Sequence, residues 1–268
     1  MDAMTSAQTM QALLVRTLVA ALLAAAMTPG FGCASKQDRL TAPRVHTAPY
    51  DTSRGDVLWA VAPLRNESGT TLVDEMAISD EIVAAAAQIK GVRCLPLNRT
   101  ILAMRALEME SVDTPEDLKT LAMEMGVDGI LVGSVTAYDP YNPPTLGLSL
   151  ALYARAGHLE TKGSESLDTR QLVYQPTDYQ YFASSNFDDA PASVVSEVLD
   201  ARGHDVQMRI QSFATGRTEA VSALGWKRYM ASMVLYTKFA AWHSVGRLVD
   251  HERLRLARSP RLTRGSPR

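Results

Sequence analysis

The sequence predicts an α/β domain: a mixed sheet of about four to five strands with helices packed on it, plus two carboxy-terminal helices. Three observations carry this. Apolar runs of strand length (Val57–Leu64, Val92–Leu97, Val127–Tyr138) alternate with stretches of helical spacing. The third run is followed, across a proline-rich turn, by the alternating segment Thr145–Ala156, so these two strands form a hairpin. The order strand, helix, strand, helix, strand, strand then requires parallel and antiparallel neighbours in one sheet.

The elements follow in order. Val57–Leu64 is almost continuously apolar and closed by Pro63, as a strand buried on both faces would be. Arg65–Gly69 is a polar turn. Leu72, Met76, Ile78, Ile82, Val83, Ala86 and Ile89 recur at helical spacing, and Lys90-Gly91 ends that helix with Gly91 as its cap. Val92–Leu97 is a short second strand. Asn98 or Thr100 caps a helix through Ile101, Met104, Leu107 and Met109. Thr114-Pro115-Glu116-Asp117 starts another, since the hydroxyl satisfies a free amide and the acids face the positive end of the dipole. It runs to Gly126.

Beyond the hairpin, Arg170–Tyr174 reads as a strand and Gln175–Asp189 as an aromatic, polar loop. Pro191 to about Ala214 reads as a helix with Gly203 weakening its middle. About Ala223 to Ala257 reads as a last helix, with an apolar stripe that includes Trp226, Met230, Met233, Phe239 and Trp242. There is no internal repeat.

The amino-terminal end has a different character. Met1–Arg16 has Arg16 as its one cation, Thr17–Met27 is an apolar run of eleven, and Pro29–Gly32 is small and turn-forming. A bilayer-spanning helix needs about 20 apolar residues, so this run suits a cleaved signal. Gly32-Cys33 resembles the end of the bacterial lipobox, with Gly30 and Phe31 departing from its usual aliphatic and small residues. The resemblance implies that Cys33 is acylated and opens the mature chain, and Ala34 after it implies the outer membrane. An ordinary secretory signal cut near Ala26 or Gly32 is the alternative. The layout is then signal peptide 1–32, tether 33–55, α/β envelope domain 56–257 (core 56–156, loop and helical extension 157–257) and a disordered basic tail 258–268.

Composition excludes several classes. The net charge of −2 gives no global pull toward nucleic acid. With Cys33 acylated, Cys94 has no intramolecular disulfide partner, and its strand-like surroundings make it a small core residue. The histidines are scattered; His243 and His251, eight apart on one helix, are too distant to share a metal. No His-Glu-x-x-His, Cys-x-x-Cys, phosphate loop or Gly-x-Ser-x-Gly elbow occurs. We therefore expect no catalytic residues, no cofactor and no metal. Asn66-Glu67-Ser68 fits the glycosylation triplet, but Asn66 is read as shaping the turn after the first strand.

What remains points to contact. The hairpin tip offers Tyr138, Asp139, Tyr141 and Asn142 beside Pro140, Pro143 and Pro144. Tyrosines on a stiffened turn lose little entropy on docking. A plain turn with packed tyrosines is the alternative. Tyr179, Tyr181, Phe182 and Phe187 either cover the sheet or meet a partner. The tail from Arg247 onward carries seven arginines against Asp250 and Glu252, suited to anionic lipid or cell-wall polymer.

Two segments resemble one family. Val61-Ala62-Pro63-Leu64-Arg65-Asn66-Glu67-Ser68 resembles its "aliphatic–x–Pro-Phe-x-Asn-x-Ser" opening. Ala122–Gly126 followed by Val127-Asp128-Gly129-Ile130-Leu131-Val132-Gly133-Ser134-Val135 resembles its "helix–Gly-Ala-Asp–aliphatic–Gly–x–Val" segment. The family holds the curli secretion lipoprotein, lipoprotein activators of penicillin-binding proteins and the amino-terminal domain of the Tol-Pal translocation protein. It implies a fold similar to an anticodon-binding domain, over about Asp56–Ala156. It also implies a lipid-anchored, periplasm-facing protein that assists or regulates an envelope complex such as one of cell-wall synthesis. The alternative is a structural subunit of an export or assembly complex, with homo-oligomers. A curli-type channel is disfavoured, because 157–190 lacks two alternating strands of about ten residues. The partner expectations are the membrane through Cys33, an envelope protein, and no nucleic acid.

Overall fold

Why the strand order comes out mixed is visible in how the chain returns to the sheet. The computed structural model describes residues 42–154, 191–218 and 222–258. Its strands are β1 (Val57–Val61), β2 (Arg65–Asn66), β3 (Val92–Cys94), β4 (Gly129–Asp139), β5 (Thr145–Ala154) and β6 (Ser193–Asp200). The order is β3-β1-β4-β5-β6, with β2 also pairing β4. The first four strands are linked through helical crossovers or a step in the chain, and β1–β3, β1–β4 and β2–β4 are parallel. The tight turn at Pro140–Pro144 makes β4–β5 antiparallel, and β5–β6 is antiparallel too. The mixed α/β sheet is thus as the sequence predicts, with six strands.

The helices are α1 (Glu75–Ala87), α2 (Leu97–Ala106), α3 (Pro115–Met125), α4 (His204–Ala214), the single turn α5 (Arg228–Ala231) and α6 (Met233–Arg258). Alternation along the strands divides the core in two. Trp59, Val61, Leu131, Leu148, Leu150 and Val195 face α1, α4 and α6. Ala60 and Ile130 face the smaller layer of Met104, Leu118, Leu121 and Ala122 from α2 and α3.

Local chemistry sets the helix ends. The Thr114 Oγ1 accepts the Asp117 amide at 3.2 Å while the Asp117 carboxylate accepts the Thr114 amide at 2.9 Å, a full capping box. Gly126 closes α3 in the left-handed region, φ 63°. Asp74 caps α1 by accepting the Ala77 amide at 2.9 Å. α1 stops at Ala87, so Gly91 (φ 90°) lies in the turn after it and does not cap it. α2 starts after Pro96, so neither Asn98 nor Thr100 is its cap. It ends at Ala106, short of the expected Leu107 and Met109.

Larger corrections lie in the carboxy-terminal half. The helix expected over 191–214 is a strand, a turn and a helix. Val194, Val195, Val198 and Leu199 fit helical spacing and strand alternation equally. β-branched content and eight paired positions along β5 decide for the strand. Gly203 starts α4 instead of weakening a helix middle. The expected last helix is broken: Ser232 is extended (φ −137°, ψ 121°), separating α5 from the 26-residue α6.

The stretch assigned to the tether also differs. Residues 44–50 form a strap across the domain. The Lys90 amide donates to the His46 carbonyl and the Ala48 amide to the Lys90 carbonyl, both at 2.9 Å. Tyr50 is buried against Trp59, and the His46 ring stacks obliquely on Trp242 at 4.5 Å. Gly246 makes room for that ring, since a Cβ there would lie 2.3 Å from His46 Nε2. The apolar Tyr50 between polar residues carried the signal. Cys33, the expected strand and loop over 170–189, and the tail beyond Arg258 lie outside the described residues.

Candidate partner-binding surfaces

The four tip residues divide by environment. Tyr138 packs against the main core, and burial raises its hydroxyl pKa, with the Asp74 charge adding to the effect. Asp139 is exposed and braces the turn, its Oδ1 accepting the Tyr141 amide at 3.1 Å. Tyr141 is 74% exposed and Asn142 is exposed beside it. The tip is tied to the β6–α4 turn, where the Ala201 amide donates to the Pro144 carbonyl at 3.0 Å. The structure therefore brings together one outward aromatic, one outward amide and a fixed base.

Sequence reasoning missed a second surface. Where β1 ends and the chain steps to β2, a cavity of about 670 Å³ opens. Its floor is Val132, Gly133, Ser134 and Tyr153, and one wall is the Ser111–Pro115 loop. Gly133 answers a close approach of β5: a Cβ there would meet the Ser149 carbonyl oxygen at 2.3 Å and the Leu150 side chain at 2.8 Å. Arg65 and Asp113 pair across the rim at 2.8 Å, both well exposed, a contact worth at most about 1 kcal/mol. The small residues interrupting an apolar strand were the available signal. Beside the cavity, Asn66 does shape the turn: its side chain donates to the Thr70 carbonyl and accepts from the amide and hydroxyl of Ser68.

A polar cluster joins β6 to α6. Glu197 meets His243 at 2.9 Å and Arg247 at 3.1 Å, and the Arg209 guanidinium lies 3.1 Å from the same His243 nitrogen. The hydrogen bond with His243, helped by the Arg247 charge and opposed by burial, holds the Glu197 carboxyl down at about 2. A depressed carboxylate stabilises the fold above its unfolded value of about 4.3, and that stabilisation is lost as pH falls toward the folded value. We expect the destabilisation caused by Glu197→Gln to be full near neutral pH. It should shrink as pH falls from about 4.3 to about 2, read by urea titrations of both proteins at each pH. A pH-independent difference would refute this.

Cys94 is partly buried, and burial pushes its thiol up to about 12, so it is a thiol at neutral pH. Among the described residues no group of three His, Cys, Asp or Glu side chains converges as a metal site, and no helix is long and apolar enough to cross a membrane.

No family model and no curated protein matches the chain. Among solved structures it is similar to the LpoB C-terminal domain from Salmonella enterica, 11% identical, with 54% of this chain and 82% of that one covered and a TM-score of 0.36. It is similar to lipoprotein GNA1162 from Neisseria meningitidis, 14% identical, with 53% and 81% covered and a TM-score of 0.35. It is also similar to the hypothetical protein CT253 from Chlamydia trachomatis, 11% identical, with 74% and 98% covered and a TM-score of 0.37.

Proposed function

We propose that the protein is a lipid-anchored, periplasm-facing envelope protein. In this reading it works by binding, without catalysis, to assist or regulate a complex such as one of cell-wall synthesis. The observation that carries the reading is Gly32-Cys33 closing an apolar leader too short to span a bilayer. Ala34 favours the outer membrane. Tyr141 supports contact as the mode of action: a largely exposed aromatic on a turn whose base is already ordered has little entropy left to lose on docking.

Labelled palmitate should enter the wild type and not Cys33→Ser; equal labelling of both would end the anchor reading. A photocrosslinker at position 141 in intact cells should join the protein to a single envelope partner. Tyr141→Ala should weaken that complex about tenfold or more, as interface aromatics do. An unchanged affinity would remove the tip from the interface.

One observation favours the second reading, a subunit of an envelope export or assembly complex. Among the described residues no strand pairs with the outer edge of the eight-residue β6. An open edge is a template for another chain. Discrete rings on mild detergent extraction would support this reading, and a monomer would count against it.

A further inference from the structure

A second cavity, of about 550 Å³, lies between the strap, α4 and α6. We propose that it is a seat for the phosphate groups of an anionic phospholipid surface. Four arginines line it: Arg44 from the strap, Arg209 from α4, and Arg247 and Arg253 from α6. Two carboxylates answer them. Glu197 is engaged by His243 and Arg247, and Asp250 by Arg253 at 2.8 Å. Arg44 and Arg209 have no carboxylate within the described residues. A guanidinium presents a fork of N–H donors that fits two phosphate oxygens at once. Cations of one sign gathered around a concavity raise the local concentration of anions.

The rim favours a surface over a free ion. Val45 and Met208 line the same cavity and are 54% and 53% exposed. Exposed apolar side chains beside arginines suit the boundary between headgroups and acyl chains, where one end of the contact is wet and the other is not. The chain also limits the distance. Arg44 follows Cys33 by eleven residues, a reach of at most about 40 Å. This last argument rests on the acylation of Cys33; the charge and the rim do not. In the anchored protein the cavity is thus confined near lipid, and each arginine adds about fivefold to partition onto an anionic leaflet.

The test uses the full chain as Cys33→Ser, so that acylation and the cavity are read separately. Cosedimentation is compared on vesicles of phosphatidylcholine alone and with phosphatidylglycerol added. The leader contributes on both, so the anionic excess is the readout. We expect a clear excess that falls as salt rises. The double variant Arg44→Gln, Arg209→Gln should lose about tenfold or more of it. Arg105→Gln, which removes from the exposed side of α2 the one charge that Arg44→Gln removes from the cavity, should leave it unchanged. Arg44→Gln alone should act in the same direction as the pair, and its side chain makes no bond within the described residues, so folding is not at issue. No anionic excess, an equal loss with Arg105→Gln, or displacement by millimolar inorganic phosphate would each overturn the proposal, the last by showing a discrete ion site. Failure of palmitate labelling with these results intact would remove the anchor and keep the lipid seat.

Discussion

Replacing Glu252 by alanine is expected to cost about 3–5 kcal/mol, seen as a lower urea midpoint with an unchanged slope. Glu252 sits on α6 with no exposed surface. Its carboxylate accepts from the Arg255 guanidinium at 2.9 and 2.8 Å, from the Tyr50 hydroxyl at 3.1 Å and from the Ser193 hydroxyl. Three donors from the strap, β6 and α6 thus converge on one buried anion. Burial first, and then the Glu252 charge, push the Tyr50 pKa well up, so Tyr50 keeps the proton it donates. Alanine would remove the acceptor and keep the costs: a guanidinium only 9% exposed loses its carboxylate, and two buried hydroxyls lose theirs. Glu252→Gln keeps the shape and loses the charge, so it should fall between wild type and alanine. A loss below about 1 kcal/mol for Glu252→Ala would mean that the cluster is not a stabilising unit.

Trp59→Ala should be comparably damaging, about 3–5 kcal/mol, by the same measurement. Trp59 on β1 is fully buried, with Tyr50 edge-on at 6.1 Å. Its ring fills the space that Gly129 leaves, since a Cβ there would come within 3.0 Å of it. Alanine would open a cavity that β1 cannot close, because β1 is paired on both sides. Trp59→Phe should cost far less. The indole Nε1 is buried with no acceptor, so its removal offsets part of the lost packing. If both substitutions cost the same, the cavity argument fails.

The sheet was legible where one signal spoke alone. Thr114-Pro115-Glu116-Asp117 has a single reading, and α3 starts there. The leucines of β5 alternate without ambiguity, and all four are buried. β6 was not legible, because its valines fit two periods and the neighbour that settles the matter, β5, lies some forty residues earlier in the chain. The break at Ser232 has no local marker either, neither Gly nor Pro. For the surfaces, Tyr141 was foreseen as an outward aromatic, whereas Tyr138, three residues earlier, belongs to the core edge. The arginine cavity needed three distant segments to meet, and no spacing in the sequence reports that.

The strap gives the domain a definite response to load. Tension arriving from the Cys33 side enters at Arg44, whose carbonyl accepts from Arg217 at 3.1 Å, and then at Thr47, whose carbonyl accepts from Arg253 at 3.0 Å. Tyr50 and Glu252 come next, and β1 only after them. These bonds join the strap to the turn after α4 and to α6 before β1 bears any of the pull. A leashed protein dragged by a moving partner would therefore surrender its strap first. About seven residues of extra leash would come free, some 20–25 Å at full extension, with the sheet still intact.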